Sequence, residues 1–293
     1  MGAMALEKQY DDKYWQSADG LRLHYRDYPG GNGRPPILCI PGLTRNARDF
    51  AALAERLSRG WRVLCIDLRG RGASDYAKDS ASYTPKIYCA DIEALIAELA
   101  LSRFILVGTS LGGLVGMMLA AAGVPANGRI AAAVLNDIGP VVEAHGLSRI
   151  RTIVGRNLSW PTWVHAARAL AAGNAEIYPT YGLVDWIAMA KRLYRVTSGG
   201  RIVPDYDLGI ADQANQPGGA LDLWPLYDSL AAVPTLILRG AHSDILSAET
   251  ARAMAARRSG ATLVTVPDVG HAPVLDEPEA VAAFDRLLDS LAR

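Results

Sequence analysis

Residues 104–122 constrain the fold of this chain more than any other segment. The apolar run Phe-Ile-Leu-Val at 104–107 leads into Gly-Thr-Ser-Leu-Gly-Gly at 108–113 and then into the apolar stretch 114–120. In that order the pattern predicts a buried strand, a very tight turn and a helix. Glycines are needed around Ser110 because side chains would collide where strand and helix approach so closely. The turn would lift the Ser110 hydroxyl above the sheet, near the positive end of the helix dipole, which suits a nucleophile attacking a carbonyl.

The same region contains a charge-free run, residues 104–128, that is long enough for a membrane span. Glycines interrupt this run, and its character changes from strand to helix at the turn. We therefore interpret it as a buried strand followed by a buried helix and expect no association with a membrane. Residues 1–15 are charged and lack the apolar core of a signal peptide.

Composition excludes several classes of partner and cofactor. Thirty basic residues balance thirty acidic ones among 293, so there is no electrostatic argument for binding nucleic acid. Cys39, Cys65 and Cys89 lie in or beside apolar stretches without metal-ligand spacing, which predicts buried, reduced thiols and a cytoplasmic location. The glycine pattern at 70–75 lacks the third glycine of a dinucleotide fingerprint, and no P-loop lysine motif is present. We expect no cofactor and no metal.

Strand and helix patterns alternate along most of the chain. Leu21, Leu23 and Tyr25 alternate with polar residues, which predicts a half-exposed strand at 21–28. Mostly apolar segments predict further strands at 36–40, 61–67, 104–108, 130–136, 234–239 and 261–266. Helical patterns between them predict an α/β fold, with a mostly parallel sheet flanked by helices. Residues 141–220 break this rhythm, lack clear buried strands and are rich in Trp and Tyr. We predict a core formed by residues 1–140 and 221–293, and a mostly helical cap at 141–220 that roofs a site.

Two further polar residues follow predicted strands. A serine nucleophile needs a histidine base and a carboxylate that orients the histidine. Asp244 follows the strand at 234–239, and His271 follows the strand at 261–266. Because the carboxyl ends of parallel strands meet at one edge of the sheet, both would lie near Ser110. The order Ser, Asp, His along the chain also matches the order found with this type of turn.

Together these motifs resemble the α/β-hydrolase family over nearly the whole chain. The resemblance is carried by the segments 40–43, 67–75, 108–113, 243–244 and 270–271. It implies that the backbone amides of Leu43 and Leu111 form an oxyanion hole. Many members have His-Gly at the oxyanion loop where this chain has Pro41-Gly42, so the side-chain hydrogen bonds of the loop are expected to differ. Arg45 would either anchor this loop or meet a substrate carboxylate.

The acid and the base each have rivals. Asp137 follows the strand at 130–136, the other position from which relatives of this fold supply an acid; we favour Asp244 because its position is the commoner one. His271 is preferred as the base over four other histidines, which lie in an early strand, in the cap or beside Asp244: His24, His145, His165 and His242.

The predicted function is a cofactor-free serine hydrolase acting on a small ester, lactone or related carbonyl compound. Serine at the turn argues against the dehalogenase and epoxide hydrolase branches, which use an aspartate there. Three alternatives stay open: a carbon–carbon bond (diketone) hydrolase of aromatic degradation, a non-hydrolytic ligand receptor, and a cofactor-free lyase or dioxygenase that uses the His–Asp pair as its base. Several cap arginines either receive a substrate carboxylate or lie on solvated helix faces: Arg151, Arg156, Arg168, Arg192 and Arg195.

Overall fold

A computed structural model of the protein describes residues 9–31, 33–123, 129–216 and 222–291. The first part of the segment tested for a signal peptide, residues 1–8, lies outside the described residues. The same is true of the end of the charge-free run, residues 124–128, and of residues 217–221, where the predicted cap ends.

The described chain contains an eight-stranded sheet that is mostly parallel, as predicted. Its strands are β1 (Asp11–Gln16), β2 (Arg22–Tyr28), β3 (Ile37–Ile40), β4 (Val63–Ile66), β5 (Phe104–Thr109), β6 (Ile130–Asn136), β9 (Thr235–Gly240) and β10 (Ala261–Val266). They lie in the order β1-β2-β4-β3-β5-β6-β9-β10, and only the β1–β2 and β2–β4 pairs are antiparallel. The sequence analysis missed β1, because Trp15 is the only buried residue of this edge strand.

Helices cover both faces of the sheet. They are α1 (Ala51–Leu57), α2 (Pro85–Glu98), α3 (Leu111–Ala121), α4 (Ala144–Ile153), α5 (Trp163–Asn174), α6 (Leu183–Leu193), α7 (Ile210–Ala214), α8 (Trp224–Asp228), α9 (Ala248–Ala256) and α10 (Pro278–Leu291). Side chains of the central strands alternate between two hydrophobic clusters. Leu38 and Leu106 pack on the side of α2 and α3, while Ile37 and Ile105 pack on the side of α1 and α10. Burial on both faces explains why these strands are continuously apolar in sequence.

Residues 141–216 contain the four helices α4 to α7 and a short hairpin. Its strands β7 (Tyr194–Val196) and β8 (Ile202–Pro204) pair antiparallel; each has only three residues, too few for a sequence pattern to reveal. Hydrogen bonds join this segment to the core. Arg48 donates to the carbonyl of Arg192 and to the Asp205 carboxylate, and the Tyr178 hydroxyl donates to the carbonyl of Ala272. Division of the chain into a core and a cap domain stays a prediction.

None of the helices in the described ranges combines the length and the apolar character that crossing a membrane would require. The apolar residues after Ser110 instead form α3, which packs against β5 and α2.

Candidate active site

Ser110 lies in a strained turn between β5 and α3. Its backbone has φ 53° and ψ −119°, a conformation that is costly for a residue with a side chain. Strand and helix approach so closely that a Cβ atom at Gly108 would lie 2.5 Å from the carbonyl oxygen of Gly112. A Cβ atom at Gly112 would lie 2.0 Å from the carbonyl oxygen of Ile40 on the neighbouring strand. The tight turn predicted from the sequence is therefore present, and it presents the serine at the carboxyl edge of the sheet.

His271 connects Ser110 to a buried aspartate. Its Nε2 lies 2.8 Å from Ser110 Oγ, and its Nδ1 lies 2.7 Å from Oδ2 of Asp137. Because Nδ1 faces a carboxylate, we assign the ring proton to Nδ1, which leaves Nε2 free to accept a proton from the serine. Sequence reasoning placed Ser110 and His271 next to each other, and the geometry agrees.

Asp137 is held from several sides. It directly follows β6, has φ 57°, and its side chain is fully buried. The amide of Gly240 donates to Oδ1 at 2.9 Å, and the hydroxyl of Ser243 donates to Oδ2 at 2.6 Å. These bonds fix the carboxylate in the orientation that faces His271.

Asp244, the acid favoured in the sequence analysis, occupies a different place. Its carboxylate accepts two hydrogen bonds from Arg149, from Nε at 2.6 Å and from Nη2 at 2.9 Å. Burial tends to raise the pKa of Asp244, but the bonded Arg149 guanidinium outweighs burial and lowers it. Contrary to the expectation from the sequence, the structure therefore places the alternative acid, Asp137, and not Asp244, against His271. The strand β6 that precedes Asp137 adjoins β5 in the sheet, whereas Asp244 lies four residues beyond the end of β9 and turns toward α4.

The two residues whose amides are expected to form an oxyanion hole, Leu43 and Leu111, both lie near the serine. Leu43 lines the same cavity as Ser110, and a Cβ atom at the adjacent Gly42 would lie 3.5 Å from Ser110 Cβ. Leu111 follows the serine as the first residue of α3. Within the described ranges, neither amide donates a hydrogen bond to the protein. Their assignment as an oxyanion hole stays a prediction.

A fully buried arginine supports the Leu43 loop. Arg71 Nε donates to the carbonyl oxygen of Leu43 at 2.8 Å, and its Nη1 donates to the carbonyl of Arg69 at 2.6 Å. Its guanidinium carbon lies 5.6 Å and 4.8 Å from the ring centroids of Tyr83 and Tyr88. Burial lowers the pKa of Arg71, partly offset by these tyrosines. In the sequence, this position was noted only as part of the segment 67–75, which carries the resemblance to the α/β-hydrolase family.

Ser110 and His271 open into a cavity of about 200 Å³. Its walls come from the core loops and from residues 141–216. Two of the tyrosines noted in the sequence line it, Tyr194 and Tyr206, but most of its lining from this segment is aliphatic: Ile150, Ile153, Val154, Leu158, Leu170 and Leu193. Tyr178, Tyr181 and Trp186 instead pack against one another, with the Trp186 ring edge-on to both tyrosines. The lining also contains two arginines and one aspartate, namely Arg45, Arg149 and Asp49.

The other candidates for the base and for a carboxylate-binding arginine in the cap lie outside the lining of the cavity beside Ser110. His24 is buried between the carboxylates of Asp67 and Asp12, at 2.7 Å and 2.9 Å. His165 bonds Thr162 at the start of α5. None of the five arginines predicted in the cap lines the cavity beside Ser110; these are Arg151, Arg156, Arg168, Arg192 and Arg195. No group of three or more potential metal ligands occurs among the described residues.

Comparisons with known proteins give consistent matches across the chain. A family model described as "Alpha/beta hydrolase family" matches residues 37–284. The chain is 32% identical to 3-hydroxybutyrate-oligomer hydrolase of Cupriavidus necator, over 89% of this chain and 90% of that protein. It is 31% identical to 2-(acetamidomethylene)succinate hydrolase of Mesorhizobium japonicum, over 86% of this chain and 85% of that protein. A crystal structure of an alpha/beta hydrolase from Novosphingobium aromaticivorans has 55% identity and a TM-score of 0.92, covering 96% of this chain and 98% of that one.

Proposed function

Since this chain belongs to the alpha/beta hydrolase family, we propose that it is a cofactor-free serine esterase with Ser110, His271 and Asp137 as its catalytic triad. The observation that carries the proposal is the continuous hydrogen-bonded series from Ser110 Oγ through His271 to Asp137. The series is built from three loops at one edge of the sheet, where α/β folds place their sites.

In the acylation step, Ser110 Oγ attacks the carbonyl carbon of the ester while His271 Nε2 accepts the serine proton. Asp137 holds the imidazole in the required tautomer and stabilises the imidazolium that forms. Negative charge on the carbonyl oxygen would be met by the amides of Leu43 and Leu111, a contribution commonly worth about 3–4 kcal/mol per donor. His271 then gives its proton to the departing alkoxide, and an acyl group remains on Ser110.

In the deacylation step, His271 accepts a proton from water as the water attacks the acyl carbon. Collapse of the second tetrahedral intermediate breaks the bond to Ser110 Oγ, which recovers its proton from the imidazolium. The products are a carboxylic acid and an alcohol, and the enzyme returns to its starting state without a cofactor.

We propose that the substrate is an ester of a short hydroxy acid. The small, largely aliphatic cavity suits a short acyl chain, and the similarity to the 3-hydroxybutyrate-oligomer hydrolase extends over 89% of the chain. A second candidate is hydrolysis of a bond other than an ester in a small dicarboxylate. It is favoured by the 31% identity to 2-(acetamidomethylene)succinate hydrolase. A cytoplasmic location also stays a prediction, supported by the free, buried Cys39, Cys65 and Cys89.

The proposal is tested by comparing the wild type with Ser110→Ala on the dimer of 3-hydroxybutyrate, p-nitrophenyl butyrate and a vinylogous diketone. Loss of the nucleophile should reduce ester turnover by about 10⁶-fold in kcat and abolish labelling by a fluorophosphonate probe. Ser290→Ala is the matched control, because the hydroxyl of Ser290 only donates to Leu287 within α10. Full ester activity of Ser110→Ala would refute the mechanism. If the wild type turned over only the diketone, the bond cleaved would be a carbon–carbon bond and the proposed ester substrate would be wrong.

A further inference from the structure

Two arginines contribute positive charge to the walls of the catalytic cavity, Arg45 and Arg149. Each guanidinium is bound along its Nε–Nη2 edge by one carboxylate, that of Asp49 for Arg45 and that of Asp244 for Arg149. Such two-point pairing fixes the plane of a guanidinium. Within the part of the chain that the structure describes, neither Nη1 donates a hydrogen bond, so each arginine keeps donors for another acceptor.

The two arginines differ in where their partner carboxylates lie. Asp49 lines the catalytic cavity together with Arg45, so an anion approaching Arg45 would also meet a negative charge. Asp244 is absent from that lining and borders a neighbouring cavity instead, together with His145, Glu176 and His242. Arg149 borders both cavities. Arg149 therefore borders the cavity that holds Ser110, whereas the carboxylate that it binds borders only the neighbouring cavity.

The surroundings of Arg149 within the cavity are apolar. Ile150, Ile153 and Val154 from the same stretch of chain line the cavity beside it. Hydrogen bonds and charge interactions are stronger in such low-dielectric surroundings than in water. Both side chains of the Arg149–Asp244 pair are also partly exposed, Arg149 by 24% and Asp244 by 19%.

We propose that Arg149 is a specificity-determining residue that binds a free carboxylate of the substrate, at the end remote from the scissile carbonyl. The proposal rests on the proposed function, since it takes Ser110 as the reacting group. The enzyme would then prefer esters that carry an anionic terminus to neutral esters of the same length. Asp244, freed from the acid role by Asp137, acts as the residue that orients Arg149.

The test uses two pairs of substrates that differ only in a carboxylate and its methyl ester. The first pair is the 3-hydroxybutyrate dimer and its methyl ester, with the carboxylate on the alcohol half. The second is mono-p-nitrophenyl glutarate and its methyl ester, with the carboxylate on the acyl half. In at least one pair the wild type should favour the acid in kcat/KM by about 10- to 100-fold, the effect of a hydrogen bond between charged groups.

Arg149→Met should remove most of this preference, mainly through a higher KM for the acid, because the carboxylate is bound equally in the ground state and the transition state. Arg149→Lys, which keeps the charge, should restore part of it. Arg151→Met is the matched control: it removes a positive charge from the same helix, but Arg151 donates to the carbonyl oxygens of Ala214 and Gln216 and lies outside the cavity lining.

Equal kcat/KM for acid and methyl ester in both pairs with the wild type would overturn the proposal. So would a preference that Arg149→Met leaves intact or that Arg151→Met reduces equally. Failure of the proposed function gives a different result, namely no Ser110-dependent turnover of any of the four esters.

Discussion

The substitution Asp137→Asn tests which of the two candidate acids, Asp137 or Asp244, orients His271. It replaces a hydrogen-bond acceptor opposite His271 Nδ1 by a donor. The Gly240 amide needs an acceptor at the position of Oδ1, so the introduced asparagine would keep its oxygen there and place its NH₂ group at the position of Oδ2. That NH₂ group faces His271 Nδ1 and would donate to it. His271 would then carry its proton on Nε2, pointing at Ser110, in the tautomer that cannot accept the serine proton.

The expected loss is large for Asp137 and small for Asp244. A wrong tautomer costs about 10⁴-fold in kcat in the serine protease triad, which corresponds to about 5 kcal/mol of transition-state stabilisation. The introduced amide also leaves the Ser243 hydroxyl without its acceptor, an effect of about 1–3 kcal/mol on stability. Asp244→Asn is expected to cost less than about tenfold on a neutral ester, or about 1.4 kcal/mol, because its carboxylate binds Arg149.

The assay is the initial rate of p-nitrophenyl butyrate hydrolysis, measured at the same pH for all variants. The enzyme concentration is determined from bound fluorophosphonate, and thermal unfolding is used to verify folding. Asp289→Asn, on the outer surface of α10, controls for the loss of a carboxylate. A loss of about 10³-fold or more in Asp244→Asn, with Asp137→Asn above about a tenth of wild-type activity, would refute the assignment of Asp137 as the acid.

Two further predictions concern buried charged groups. Arg71→Met should lower kcat by about 10²–10³-fold with little change in KM, the effect of losing one oxyanion donor, because Arg71 donates to the carbonyl of Leu43. A change confined to KM would contradict this prediction. Arg22→Met, on the exposed end of β2, is the control. Burial tends to lower the pKa of His24, but its bonds to Asp67 and Asp12 outweigh burial and raise it. The stabilisation by His24 should therefore be complete below about pH 6.5, its unfolded pKa, and fall as the pH rises through the higher folded pKa. Accordingly, the difference in unfolding temperature between wild type and His24→Gln should shrink between about pH 5.5 and 9, and a constant difference would disprove it.

The central strands of the sheet could be predicted from the sequence because they are buried on both faces and therefore continuously apolar. The same reasoning missed β1, where Trp15 alone is buried, and the hairpin of β7 and β8, whose strands are too short to show a pattern. Ser110 and His271 could be identified because each follows such a strand and the glycines around Ser110 permit a tight turn.

The carboxylate that contacts His271 could not be chosen from strand patterns, because both candidates come shortly after a predicted strand. Asp137 and Asp244 each follow a strand of the sheet, and a strand pattern fixes where a side chain begins but not where it points. What decides is a partner from a distant part of the chain: Arg149, separated from Asp244 by 95 positions, occupies its carboxylate. No periodicity or motif in the sequence indicates that pairing.

The turn at 243–245 joins the catalytic series to the proposed carboxylate site. The Ser243 hydroxyl donates to Asp137, and the carboxylate of the next residue, Asp244, binds Arg149. The helix that carries Arg149 is itself laid against this turn. A Cβ atom at Gly146 would lie 2.2 Å from the carbonyl oxygen of Asp244, and the Glu143 amide donates to the carbonyl of Ile245 at 3.0 Å.

Backbone contacts therefore fix where α4 lies, and the Asp244 carboxylate fixes how the Arg149 guanidinium is oriented. Because both its helix and its guanidinium are held in place, Arg149 loses little side-chain entropy when a ligand binds. More of the interaction energy is then available for recognition. Since adjacent residues of one turn bind Asp137 and Arg149, we expect a change in the backbone of this turn to alter catalytic rate and carboxylate preference together. Removal of the Asp244 side chain alone should disturb the carboxylate preference far more than the rate.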